Sequence, residues 1–233
     1  MKKTLSALFA VLMLTACGSS AAAPEPKASE APAAETPAAV EEAPAAAEAE
    51  LPAARDTSKK YTPSEGADPV DCTEEVFLPG CAAITNENLL DYLNRDDVLY
   101  IDLRDYADYA KKHFRNFECI PYFALIYSKE GGEGITQLYS GDTTNPVATY
   151  EESDELLEVF FPKDKTIFLM CQSGGRVAQL MNILNAKGYD MSKIYNITGM
   201  GNYTGSEFAD ITVDAAEIMI DAAYSFEGLT RVN

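Results

Sequence analysis

The sequence holds a single histidine, His113, and its five cysteines are scattered, so no ligand set spaced for zinc or another metal can be drawn from it. Basic residues are scarce too. Eighteen Lys+Arg stand against 37 Asp+Glu, a formal charge of −19 at pH 7, and no basic patch interrupts the excess. A surface of that sign repels phosphate backbones, which argues against nucleic acid as a partner. It also disfavours anionic lipid head groups, so attachment to a membrane would need a covalent anchor. Long apolar runs are missing: the run from Leu5 to Leu14 is too short to span a bilayer comfortably. From Gly18 to about Leu51 the aromatic and branched residues that build a core are nearly absent, so folding should be confined to the rest of the chain. No internal repeat is present.

What is there falls into three parts. Residues 1–16 read as an export signal, with Lys2 and Lys3 ahead of the apolar run. That run ends in Leu14-Thr15-Ala16-Cys17, which resembles the bacterial lipobox; the resemblance implies cleavage before Cys17 and acylation of it, and loss of the two lysines would make the mature chain more acidic still. The expected location is the extracytoplasmic side of a cell membrane, held by lipid. Residues 17–60 read as an extended Ala/Pro/Glu-rich tether, and residues 61–233 as the folded domain.

Within that domain, Thr85 is expected to N-cap a helix through Leu89, Leu90 and Leu93, with Ile84 stapled onto Leu89. Val98–Ile101 and Ile194–Ile197 read as short strands, and Thr166–Met170 as the strongest strand, buried on both faces. Helical stretches are expected at Tyr106–Lys112, at Glu151–Phe161 and through Leu180, Ile183 and Leu184, the last stopping at Gly188. The glycine-rich stretch 128–149 reads as a long loop or small hairpin. Strands alternating with helices point to an α/β fold with a mostly parallel central sheet flanked by helices in three layers.

The segment Cys171-Gln172-Ser173-Gly174-Gly175-Arg176 carries the chemistry. It follows the strongest strand and opens a helix, where α/β sheets place their ligands. Two glycines let the backbone curl so that successive N–H groups point inward as an anion cradle, joined by the free N–H groups of the helix start. A cysteine at the head of such a cradle is expected as a thiolate nucleophile, with Gln172, Ser173, Gly174 and Gly175 binding the substrate and Arg176 closing the ring on an oxyanion.

This segment resembles the active-site loop Cys-x-x-Gly-x-Arg of the rhodanese family, with Cys171, Gly174 and Arg176 in the three places. The resemblance runs over a core of about residues 84–205. Val98–Arg104 is similar to the family's strand ending in Asp-x-Arg, His113 falls in its Gly-His-Ile-x-Gly-Ala segment, and Gly199-Met-Gly201 with Tyr203 matches its Gly-Gly turn and aromatic residue. Lys112, Asn116, Phe117 and Val177 depart from the family's usual residues, and 128–149 looks like an insertion able to cover the mouth. The resemblance implies a sulfurtransferase without a bound cofactor: Cys171 takes sulfane sulfur from a small donor such as thiosulfate as a persulfide and passes it to cyanide or a thiol. Related phosphatases use a Cys-x5-Arg loop, one residue longer than the four residues between Cys171 and Arg176.

Two alternatives stand beside this. The same cradle could bind or carry sulfur, or another anion, without turnover; or Cys119 could approach Cys171 and make a redox pair. Asp102 and Arg104 are expected to brace the loop, and His113 is given no catalytic role. Cys72 and Cys81, across Pro79-Gly80, are expected to form a disulfide in an exported protein. Met219, Tyr224 and Phe226 are expected to cap the core.

Overall fold

A computed structural model describes residues 49–215 and 218–232; the expected export signal, Cys17 and the part of the expected tether up to residue 48 lie outside them. Two short strands, β1 (Lys60–Tyr61) and β2 (Val70–Asp71), pair antiparallel at the entry. Then follow β3 (Val98–Asp102), helix α1 (Tyr106–Lys111), β4 (Lys112–Phe114), β5 (Glu118–Cys119) and β6 (Tyr127–Ser128). The hairpin β7 (Tyr139–Asp142) and β8 (Asn145–Ala148) leads to α2 (Ser153–Phe160). The chain continues through β9 (Thr166–Cys171), α3 (Gly175–Ala186), β10 (Ile194–Gly199) and β11 (Thr212–Asp214).

The central sheet has the order β10-β9-β3-β5, and every neighbouring pair in it is parallel. Five of the six residues of β9 are buried, as an inner strand covered on both faces requires. Its alternate side chains separate two cores. Ile167, Leu169 and Cys171 face a cluster with Leu157 and Phe161 and with Val177, Leu180, Met181, Ile183 and Leu184 of α3. Phe168 and Met170 face the other side, with Ile84, Leu89, Phe114, Phe117, Tyr203 and Phe208. Helices therefore cover one face, while turns, the β4–β11 ladder and tilted aromatic rings cover the other.

Three sequence expectations change. The helix expected from Thr85 is a single 3-10 turn over Leu89–Tyr92, and Leu90 is exposed. The Asn88 side chain accepts from the Thr85 N–H and donates to the Ala83 carbonyl, and the Leu89 N–H reaches the Thr85 carbonyl, but the next backbone bond, from the Asp91 N–H to the Asn88 carbonyl, is already of the tighter 3-10 type. The packed part of the chain begins before residue 61, inside the stretch expected as tether. Ala54 and Arg55 are buried, Arg55 donates to the carbonyls of Met191 and Ile194, and Tyr195 donates to the Pro52 carbonyl. Composition hid this because one buried arginine does the work that a run of apolar residues would announce. Met219 is 83% exposed and caps nothing, whereas Phe226 packs on Tyr150 and Phe160.

Candidate functional site

Cys171 ends β9 at the carboxyl edge of the sheet and is buried. The Gly174 N–H donates to its sulfur over 3.1 Å. Gly174 has φ +86°, in the left-handed region, and a β-carbon there would lie 2.5 Å from Cβ of Pro79, so glycine is required twice over. Gly175 opens α3, and the N–H groups of Gly175, Arg176 and Val177 lie in its first turn, where no intrahelical acceptor exists. Gln172, Ser173 and Gly175 are exposed beside the buried sulfur.

Arg176 is half-buried, with its guanidinium 5.8 Å from the centre of the Phe123 ring. Of the two expectations for 128–149 the small hairpin is the one formed, β7 with β8, with β6 paired alongside β7, and Asn182 of α3 donates to Thr143 in its turn. Beside Phe123 it leaves an open groove of about 550 Å³, lined also by Tyr127, Lys129, Asp142 and Gln179.

The next turn forms the other wall. The Gly201 N–H donates to the Gln172 carbonyl, and a β-carbon on Gly199 would come within 2.3 Å of the Gln172 carbonyl carbon. Gly199 reaches this position because the register of β10 on β9 slips by one residue between Asn196 and Gly199. Thr198 sits in that bulge at φ +70°, a costly conformation for a β-branched residue, and backbone strain of this kind collects at functional sites.

Asp102 and Arg104 make a buried ion pair at the end of β3, with both Nε and Nη2 of Arg104 on the carboxylate. Arg104 also donates to the carbonyls of Asp108 and Lys112, so the pair ties α1 and β4 to the sheet edge. Burial pushes the Asp102 carboxyl upward, against the pull of Arg104 and, more weakly, of Arg176. His113 Nδ1–H donates to the Tyr109 carbonyl, and its ring stacks on that tyrosine's ring.

Cys119 does not meet Cys171. It pairs in register with Asp102, which pairs on its other side with Met170, so two strand spacings of about 10 Å in all separate Cys119 from β9. Cys171 also faces the other side of the sheet from Met170. A disulfide needs α-carbons within about 7 Å, so the redox pair drawn from sequence is excluded in this fold. Burial, with Asp102 nearby, pushes the Cys119 thiol up to about 12, and its sulfur contacts the Arg104 carbonyl. Cys72 and Cys81 are joined by a disulfide, with α-carbons 5.4 Å apart.

Sequence reasoning missed Asn196. It is a buried polar residue inside β10, and its side chain donates to the carbonyls of Phe77 and Gly174 and accepts from the Thr198 N–H. An asparagine in an otherwise apolar strand was the available signal.

No curated protein matches the chain. Among solved structures, the solution NMR structure of a rhodanese-like domain from an Anabaena protein aligns at 11% identity with a TM-score of 0.35, covering 64% of this chain and 92% of that one. The family model of the rhodanese-like domain matches residues 85–200, which span the sheet, the Cys171 loop and the Gly199 turn. The chain belongs to the rhodanese-like family through this domain.

Proposed function

We propose that the protein is a membrane-anchored sulfurtransferase whose nucleophile is Cys171. A rhodanese-like domain makes it a module of the sulfurtransferase or sulfur-binding type; the finer reading is supported above all by the Gly174 N–H on the Cys171 sulfur. The thiolate of Cys171 attacks the outer sulfur of thiosulfate. A new S–S bond forms, the S–S bond of thiosulfate breaks, and sulfite leaves with the electron pair. A nucleophile such as cyanide or a thiolate then attacks the outer sulfur of the persulfide, and the electrons of the S–S bond return to Cys171. The N–H groups of the loop and of the first turn of α3 stabilise negative charge throughout, with Arg176 beside them. No bound cofactor enters this cycle.

Transfer of sulfur from thiosulfate to cyanide, read as thiocyanate, tests the reaction. The wild-type protein is expected to turn over and Cys171→Ser to give none; equal product from both removes Cys171 from the role. The burial of Cys171 favours a second reading, a sulfur carrier that loads once and waits for a protein acceptor. Loading without thiocyanate would select it.

Acylation of Cys17 and residence on the extracytoplasmic side of a membrane complete the proposal. It rests on the residues around Cys17 and on the acidic, proline-rich stretch behind it. No helix among the described residues is long and apolar enough to cross a membrane. Incorporation of labelled fatty acid that is lost in Cys17→Ser is the expected result.

A further inference from the structure

The 72–81 loop lies against the back of the active-site cradle. The disulfide closes it, and its two ends are held by the Cys72 N–H on the Lys59 carbonyl and the Asp56 N–H on the Cys81 carbonyl. Pro79, inside this loop, stands where a side chain on Gly174 would have to go. Phe77, two residues earlier, offers its carbonyl to Nδ2 of Asn196, and the same nitrogen donates to the Gly174 carbonyl at 3.2 Å. The amide of Gly174 in turn meets the Cys171 sulfur. The other end of the Asn196 amide accepts from the strained Thr198, which carries the bulge that brings Gly199 against Gln172. One side chain thus joins the disulfide loop, the cradle and the bulge. Only a carboxamide supplies two donors and an acceptor from one planar group, and all three are used here.

We propose that Asn196 is a positioning residue for the nucleophile: braced by the disulfide-closed 72–81 loop, it holds Gly174 so that its N–H stays on the Cys171 sulfur. This rests on Cys171 being the nucleophile. Nothing in the chain of contacts needs the sulfur donor, so it can be tested on the thiol itself. Arg176, in the first turn of α3, is the charged group of the loop and is left unchanged throughout.

The test is alkylation of Cys171 by iodoacetamide against pH, on the full chain in a Cys119→Ala background, followed on the Cys171 peptide by mass spectrometry. In Asn196→Asp the carboxylate loses both donated bonds. The pH of half-maximal reaction is expected to rise by about one unit, so that alkylation near neutral pH slows about tenfold. Asn196→Ser, which keeps one donor and one acceptor, is expected to recover part of the shift. Simple loosening would do the opposite: it would expose the buried sulfur, raise the rate at every pH and leave the midpoint where it was, and that result overturns the proposal. A wild-type profile overturns it too. If Asn196→Asp does not fold, the Cys72→Ser/Cys81→Ser pair provides the second measurement, with the same upward shift expected and an unmoved midpoint contradicting it. A shifted profile in a protein that never takes up sulfur would defeat the sulfurtransferase reading and leave the positioning role standing.

Discussion

The amide of Gly174 points at the sulfur of Cys171 over 3.1 Å, and the residue that makes this contact can be nothing but glycine. Its φ of +86° is costly for any side chain, and Pro79 fills the space a β-carbon would need. Gly174→Ala is therefore expected to cost at least about 1–2 kcal/mol from backbone strain alone. Displacement of Pro79 adds to this. Urea unfolding measures it, and the variant should also load sulfur more slowly than wild type. Gly175→Ala, where a β-carbon meets nothing within 4 Å and φ is not positive, should leave stability nearly unchanged and serves as the control.

The disulfide closes a loop of nine residues' separation between two buried cysteines. A cross-link of that span contributes about 2–3 kcal/mol by restricting the unfolded chain. Unfolding midpoints with and without reductant, in the Cys171→Ser background to prevent exchange, should differ accordingly. Coincident curves would show that the bond contributes nothing.

Arg55 is 4% exposed and donates to two carbonyls that bracket the start of β10, while stacking on Phe77. Arg55→Ala removes the charged donor from both carbonyls, of which Met191 keeps the Ile194 N–H, and should cost about 1–3 kcal/mol. A change within a few tenths of a kcal/mol would place the segment before Lys60 outside the folded unit.

Cys119 gives a pH dependence. Its thiol is raised from 9.0 to about 12 by burial. The folded state thus holds the proton over a range where the unfolded chain has lost it. The stability this contributes is complete below about pH 9 and falls as pH rises toward 12. Tyr122 and Tyr139, buried and also shifted upward, act in the same direction. Cys119→Ala should make the alkaline decline shallower without abolishing it. An unchanged slope would mean that the thiol is open to water.

The sheet was legible because β9 is an uninterrupted apolar run and because Cys171, Gly174 and Arg176 keep a spacing that only a cradle at a helix start explains. The disulfide followed from two cysteines across a Pro-Gly turn in a chain whose first residues read as an export signal. Other features were carried by single side chains against the local pattern. Thr85, Leu89, Leu90 and Leu93 have helical spacing, yet after the Leu89 N–H bonds the Thr85 carbonyl the backbone tightens into one 3-10 turn and goes no further. The bulge at Thr198 has no signature in residues 194–199, since a β-branched residue at positive φ is what propensity argues against. The separation of Cys119 from Cys171 depends on the strand order β9-β3-β5, which no spacing along the chain encodes. The contacts of Asn196 with Phe77 and Gly174 span 119 and 22 residues, and only the folded register brings them together.

The central claim is that Cys171 receives sulfane sulfur, and the mass of the protein after incubation with thiosulfate tests it most directly. The account predicts a gain of one sulfur atom, located on the Cys171 peptide, removed by cyanide and absent from Cys171→Ser. No gain in the wild type, or a gain that persists in Cys171→Ser, would contradict it.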